Sequence, residues 1–341
     1  MGNFKFHNLI IAALLAIVPA SAQTVSVTTV TFNNVREVAE LPRQSFFHRY
    51  GVFDKLELGM TLGTTGIGLE LASPVTRWAK VRAGVAYTPS FDVPMHFGIT
   101  TYTDGKVHSG NFGKIQELMR SISGYEMDET IDINGTPKML NFSFLVDVYP
   151  FQNNRHWHFT AGFYAGPRRV AKAINTMQEM PSLLAIGMYN RLYDYTMADG
   201  FIDNPIYNDI YLDPEQADML KEKLEEYGRI GIHLGDFKDG RPYYMEPDKD
   251  GTVKAKALVN SFRYYVGAGY GGAMSDDKRW NISVDAGAMF WGGSPKVIDH
   301  SGIDLIHDLD NVRGKVGDYL KIMEALKVYP VLNLKISYTF F

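Results

Sequence analysis

The sequence predicts an all-β transmembrane fold: an antiparallel eight-stranded up-and-down outer-membrane β-barrel with helical extracellular insertions. Three observations predict it. Eight segments alternate apolar and polar residues with period two, each about 9–11 residues long, which is what a tilted strand needs to cross an apolar band of roughly 25 Å. Short turns (73–77, 150–155, 275–279) alternate with long insertions (88–138, 167–257, 292–329), as in barrels with short periplasmic turns and long outer loops. The chain also opens on an export signal.

That signal comprises Lys5 and His7, an apolar run from Leu9 to Val18, and Ala20-Ser21-Ala22 before a cleavage site between Ala22 and Gln23. The run is too short to span a bilayer as a helix. Residues 23–54 read as a periplasmic or plug-like leader, and 55–341 as one barrel domain with its insertions.

The first strand sets Leu58, Met60 and Leu62 outward against Glu57, Gly59 and Thr61. After Gly63-Thr64-Thr65-Gly66, Ile67, Leu69 and Leu71 alternate with Gly68, Glu70 and Ala72. The third strand sets Val81, Ala83, Val85 and Tyr87 against Lys80, Arg82, Gly84 and Ala86. The fourth and fifth place Leu140, Phe142, Phe144 and Val146, then Trp157, Phe159, Ala161 and Phe163, on the outer face. Asn141, Ser143, Leu145 and Asp147, then His158, Thr160, Gly162 and Tyr164, oppose them. The sixth and seventh expose Phe262, Tyr264, Val266 and Tyr270, then Trp280, Ile282, Val284 and Phe290. The last strand exposes Leu332, Leu334, Ile336, Tyr338 and Phe340.

Trp157, Trp280, Tyr338 and Phe340 sit where an interfacial aromatic girdle belongs, beside turns that carry Arg. Trp78 has the wrong parity for that belt unless a bulge intervenes. The inward charges balance: Glu57, Glu70, Asp147 and Asp285 against Lys80, Arg82, Arg263 and Lys335. An eight-stranded bore is just wide enough to be filled by side chains, and buried charges are costly unless paired, so these eight predict an ion-paired plug. Adjacent strands suggest the pairs Glu57–Lys335 and Glu70–Arg82. The alternating glycines Gly267, Gly269 and Gly271 make room for large lumen side chains; with no helix following, they are not a phosphate loop.

The insertions look folded. Helices are predicted over 112–125, over 214–227 with Asp213 as N-cap and Pro214 at the first position, and over 316–328. Residues 241–245 and 252–258 read as a hairpin extending the sheet above the membrane, the whole forming a cap over the barrel mouth. The aromatics Tyr189, Tyr193, Tyr195, Phe201, Tyr207 and Tyr211 read as the cap's core, with stacking on a glycan or protein partner as the alternative.

The stretches Gly63–Glu70, Asn141–Phe151, Tyr265–Gly271 and Val328–Phe341 resemble the small outer-membrane barrel proteins of Bacteroidota, over about half of the chain. The resemblance implies a fold and a location and carries over no catalytic residue. It also implies recognition of the C-terminal strand by the barrel-assembly machinery, although Phe340 faces outward and Phe341 follows it as an extra residue.

Composition narrows the chemistry. The formal charge of −4 leaves no basic footprint for nucleic acid, and the absence of cysteine excludes disulfides and thiolate ligands. His300, Asp304, His307, Asp308 and Asp310 form the densest set of possible ligands, the first place to look for a metal or a hydrolytic His/Asp pair. Without an H-E-x-x-H spacing, a polar loop is the better reading. Asp248-Lys249-Asp250-Gly251 begins like a calcium loop but has Val259 at the twelfth position, so an Asp-Gly turn accounts for it. The expectation is a lipid-embedded barrel with no cofactor and no catalytic residue, neither pore nor enzyme. Its cap would serve a structural, binding or complex-accessory role toward a surface protein or glycan; a rim hydrolase and a narrow channel are the competing readings.

Overall fold

The computed structural model describes residues 55–340 except 109, 152, 202–212, 313 and 326. The expected export signal with its Ala22–Gln23 cleavage site, the expected leader, Tyr207, Tyr211 and Phe341 lie outside the described residues.

The chain begins with β1 (Glu57–Gly63), β2 (Gly66–Pro74) and β3 (Ala79–Thr88). The first insertion holds β4 (Val93–Gly98), β5 (Thr100–Thr103), β6 (Lys106–His108), α1 (Phe112–Ser123) and β7 (Thr130–Pro137). Then come β8 (Met139–Val148) and β9 (Trp157–Ala165). The second insertion holds β10 (Arg169–Asn175), α2 (Met180–Met197), α3 (Pro214–Tyr227), β11 (Arg229–Phe237), β12 (Pro242–Met245) and β13 (Lys254–Leu258). β14 (Phe262–Ala273) and β15 (Trp280–Phe290) follow. The third insertion carries β16 (Lys296–Asp299), β17 (Leu309–Asp310) and α4 (Gly314–Ala325), before β18 (Val328–Thr339).

Eight of these strands close a barrel in the order β1-β18-β15-β14-β9-β8-β3-β2. Every neighbour is antiparallel and next in the sequence of barrel strands, so the topology is up-and-down; β1 meets β18 with Glu57 opposite Thr339. The parity read from the sequence holds on all eight strands. Leu58, Leu69, Val85, Phe142, Phe159, Tyr264, Val284 and Leu334 are exposed outside, while Glu70, Arg82, Asp147, Thr160, Arg263, Asp285 and Lys335 are buried inside. Closure leaves no free edge, so every strand finds its backbone partners without water.

β3 begins at Ala79, which puts Trp78 in the preceding turn, exposed, its carbonyl accepting from the Tyr149 N–H at 2.8 Å. Its parity therefore needs no bulge. At the short-turn end the aromatics expected to form a girdle make edge-to-face pairs: Trp157 with Tyr270, Trp280 with Tyr338, and Tyr338 with Phe340, all near 5 Å. Tyr270 joins the four aromatics expected there.

Above the barrel the wall continues. The sheet β16-β13-β10-β7-β4 carries the same strand order as β15-β14-β9-β8-β3, and each cap strand directly precedes or follows its barrel strand in the chain. A second sheet, β12-β11-β5-β6, lies in the cap with α2 and α3 packed on it. The expected hairpin of 241–245 with 252–258 does not form: β12 pairs with β11, and β13 pairs with β10 and β16. Both segments do extend sheets; each simply finds a longer partner than the other.

Three helices stand where periodicity put them, α3 over the full span expected and α4 shifted slightly toward the N-terminus. α2 was not legible. Its buried side mixes Ser182, Asn190 and Thr196 with Leu183, Ala185, Ile186 and Tyr189, while Met188 is exposed, so apolar and polar residues do not sort into a stripe.

Candidate functional site

Two places concentrate unusual chemistry: the barrel interior and a hollow inside the cap. The interior is built in layers by the inward residues of each strand. At its centre Arg82 on β3 reaches Asp147 on β8 at 3.0 Å, Asp285 on β15 at 3.1 Å and Glu70 on β2 at 3.5 Å. β3 and β15 stand opposite each other in the ring, so the Arg82–Asp285 bridge crosses the full diameter of the bore. Lys335 adds a bridge to Glu70 at 3.3 Å, and the Thr160 hydroxyl donates to Asp147 at 2.8 Å. Arg82 is 2 % exposed and Asp147 fully buried, so here one guanidinium bridges three carboxylates at once.

Sequence reading missed one member. His158 Nε2 lies 2.7 Å from Asp285 Oδ1, inside the same network. Its inward parity was visible; its partner, two strands away around the ring, was not. Gly269 makes that meeting possible, since a Cβ there would lie 2.3 Å from His158 Nε2 and 2.5 Å from Asp285 Oδ1. Gly267 likewise leaves space for the Tyr265 hydroxyl and Gly271 for Ser283, so the glycine row does accommodate lumen side chains.

Two of the expected ionic contacts differ. Glu57 pairs with Lys80 at 2.9 Å and accepts from the Ser337 hydroxyl, while Lys335 goes to Glu70. The register explains it: Lys335 is level with Thr61, four residues from Glu57, and its chain passes Gly59 to reach Glu70 one strand further on. Arg263 has no carboxylate partner among the described residues. It lies at the cap end, donating to Asn141 Oδ1 at 2.5 Å and to the carbonyls of Asn260 and Pro167 at 2.8 Å, beneath the ring of Trp291. Arg263 therefore does not join the network around Arg82, whereas His158 does, through its contact with Asp285.

Between Arg82 and the cap lies a buried cluster of Leu145, Tyr164, Tyr265, Met289 and Val331. At the other end a vestibule of about 650 Å³ opens between the short turns, with Lys80, Tyr149, His156 and His158 in its wall.

The second place is an apolar cavity of about 360 Å³ in the cap. Its floor is the inner face of the extended wall, where Gly135, Ala171, Ala173, Ala255 and Ala257 present almost no side chain. Its roof is α4, through Val316, Tyr319, Leu320 and Met323. Protein interiors pack as densely as organic crystals, so a hollow this large marks a place where the chain withholds side chains.

The cluster at 300–310 is a knot of turns, not a helix. Asp304 accepts from His307 Nδ1 at 2.9 Å and from the backbone N–H groups of Val297 and Ile306. Asp308 accepts from the Asp304 N–H, and Asp299 from the Ile303 N–H and the Tyr243 hydroxyl. Those carboxylates hold the loop, and among the described residues no group of three side chains is placed to hold a metal. The Asp248–Gly251 segment is a tight turn, closed by Asp248 N–H to the Thr252 carbonyl at 2.9 Å; Lys254 lies 3.3 Å from Asp248 and 3.5 Å from Asp250. Of the cap aromatics, Tyr189 and Phe201 are buried and Tyr193 packs against the core, so these three belong to the interior.

Burial pushes up the hydroxyls of Tyr102, Tyr189 and Tyr243, and the carboxylates of Glu246 and Asp299 push Tyr102 and Tyr243 further. A group that holds its proton more tightly when folded contributes stability below its unfolded value, about 10 for tyrosine, and loses it as pH rises through the folded value. The cap is therefore expected to open above pH ~10, with tyrosinate absorbance rising together with loss of near-ultraviolet dichroism. Ionisation complete near pH 10 with tertiary structure intact would contradict it.

No family model matches the chain, and no curated protein matches it. Among solved structures it is similar to CarO of Acinetobacter baumannii, at 11% identity and TM-score 0.36, and to CarO2 of the same organism, at 13% and 0.34. It is also similar to a major outer membrane protein from Thermus thermophilus, at 12% and 0.29. Each likeness covers 84% of this chain and 98% of the other. Values this low carry no argument about function, and the barrel is established by the strand pairing of this chain itself.

Proposed function

We propose that the protein is an outer-membrane binding protein: a closed, non-conducting barrel that anchors an extracellular cap, with the cap cavity taking an apolar ligand. The Arg82 network carries the reading. Ion pairs and hydrogen bonds drawn from six strands cross the bore, and the buried cluster above them supports a blocked path. The exposed outer faces of Leu, Phe, Val and Ile need lipid, because a soluble monomer rarely exposes an apolar belt of that extent. The N-terminal signal, and the presence of both barrel ends at the short-turn side, support a cap that lies outside the cell.

The ligand class follows from the cavity. Ligand sites of about 300–1,000 Å³ are lined mainly by hydrophobic residues, and this cavity's floor and roof offer apolar side chains. A hydrocarbon-like molecule fits, and no residue role here is catalytic. Planar-bilayer recordings of the purified full chain test the anchor: no steady conductance is expected, and sustained single-channel currents would overturn it. Fluorescence of N-phenylnaphthylamine tests the cap, with saturable enhancement expected from protein held in detergent and none above the detergent background if the cavity takes no ligand.

A further inference from the structure

The wall that rises from barrel into cap changes character abruptly on its outer face. Up to the rim the outward residues are Leu140, Phe142, Phe163, Phe262, Tyr264 and Phe290, with Phe163 and Phe262 stacked at 4.6 Å. One step further the same face turns cationic. Arg169 is paired with Leu258 and Leu258 with Lys296, while the Lys138 N–H bonds the Val170 carbonyl, so Lys138, Arg169 and Lys296 lie in one row. The next row runs Thr136, Lys172, Lys256, Ile298, with the two lysines directly opposite each other. A bulge between Arg169 and Ala171 keeps Lys172 on the outward face.

Neighbouring strands are about 4.8 Å apart and same-face residues about 7 Å apart along a strand, so five cations share a small patch. All five are exposed. Among the described residues none has a carboxylate within ion-pair distance, whereas Lys254 of the same sheet is held by Asp248 and Asp250. Asp92, the acid at the sheet edge, accepts from the Thr136 hydroxyl at 2.6 Å. Like charges directly opposed across a strand pair destabilise a sheet, so Lys172 facing Lys256 is a cost that the fold alone does not require.

We propose that this face docks on net-anionic phosphate headgroups, those with no choline or amine to neutralise the phosphate, in the leaflet around the cap end of the barrel. The inference rests on the reading of the barrel as membrane-embedded. Aromatic rings settle at headgroup depth, and basic side chains just beyond them meet lipid phosphates. The patch has that order along the strand direction and faces the side where lipid lies. A soluble anion would not require the cations to adjoin an aromatic rim.

The test is lipid retention by the full chain in neutral detergent, measured by native mass spectrometry with phosphatidylglycerol or phosphatidylcholine of identical acyl chains. Each charge near a membrane surface contributes roughly a fivefold preference, so wild type is expected to favour phosphatidylglycerol by about tenfold or more. The variant Lys138→Gln, Arg169→Gln, Lys172→Gln, Lys256→Gln, Lys296→Gln is expected to lose that preference. A control altering the exposed Lys106, Lys223, Lys238 and Lys249 to Gln is expected to keep it. Equal retention of both lipids, or equal loss in the control, would overturn the proposal. Displacement by inorganic phosphate alone would overturn it too, by showing an ion site. Flotation of wild type with phosphatidylcholine liposomes in high salt reads membrane embedding separately, so failure there is failure of the barrel reading.

Discussion

Replacing Arg82 with Met is expected to lower the stability of the barrel by about 3–5 kcal/mol or more, the cost of breaking a buried ion pair by removing one partner. Arg82 is the common partner of Glu70, Asp147 and Asp285, all buried. Methionine fills some of the volume but supplies no donor, leaving carboxylates from three strands facing one another. Arg82→Lys should fall between, because it keeps the charge and loses the planar fork. The triple change Arg82→Met, Asp147→Asn, Asp285→Asn should recover part of the loss by removing the uncompensated charge. Urea midpoints in detergent, read from the gel shift between folded and unfolded barrel, give the ranking. A wild-type midpoint for Arg82→Met would show that the network does not hold the barrel together.

Filling the cap cavity is expected to move stability and binding in opposite directions. Ala173 and Ala255 are cross-strand partners on its floor, so leucine at either projects into space now lined by α4. Cavity-filling changes commonly add about 0.5–2 kcal/mol, so the cap should melt higher. The same change should weaken binding of N-phenylnaphthylamine by about tenfold, because losing contacts worth roughly 1.4 kcal/mol has that effect. Thr136→Leu, on the outward face of the same sheet and outside the cavity lining, serves as the control and should leave dye binding unchanged. Stabilisation without loss of binding would place the dye elsewhere; destabilisation would mean that the roof cannot shift to accept the added methyl groups.

Much of the fold was written locally. A side-chain period of two tells which residues of Leu140–Val148 face lipid and which face the bore, and the turn signals around Pro74, Pro150 and Asp276 mark where the chain reverses. Three of the four helices among the described residues announced themselves by apolar spacing or by Asp213-Pro214, whereas α2 did not, because Ser182, Asn190 and Thr196 interrupt its buried side and Met188 stands on its exposed one. The interior charges were visible as inward residues, but their partners were only partly so. Glu70 with Arg82 follows from adjacency. Arg82 with Asp285 and His158 with Asp285 depend on which strands stand across or around the ring, and on glycines that let them meet. Arg263 has the parity of the ion-paired set but sits too near the cap end to join it.

The sequence by itself determined the class of fold, the number of barrel strands, the face of each barrel residue and the end that bears the cap. These follow from alternation and turn chemistry, which act between neighbours along the chain. Only the tertiary structure decided which charges meet inside the bore, that the cap wall continues the barrel strand for strand, and that alanines and a glycine leave a hollow beneath α4. Those features arise between segments far apart in the chain, where register and closure set the distances and no local pattern records them.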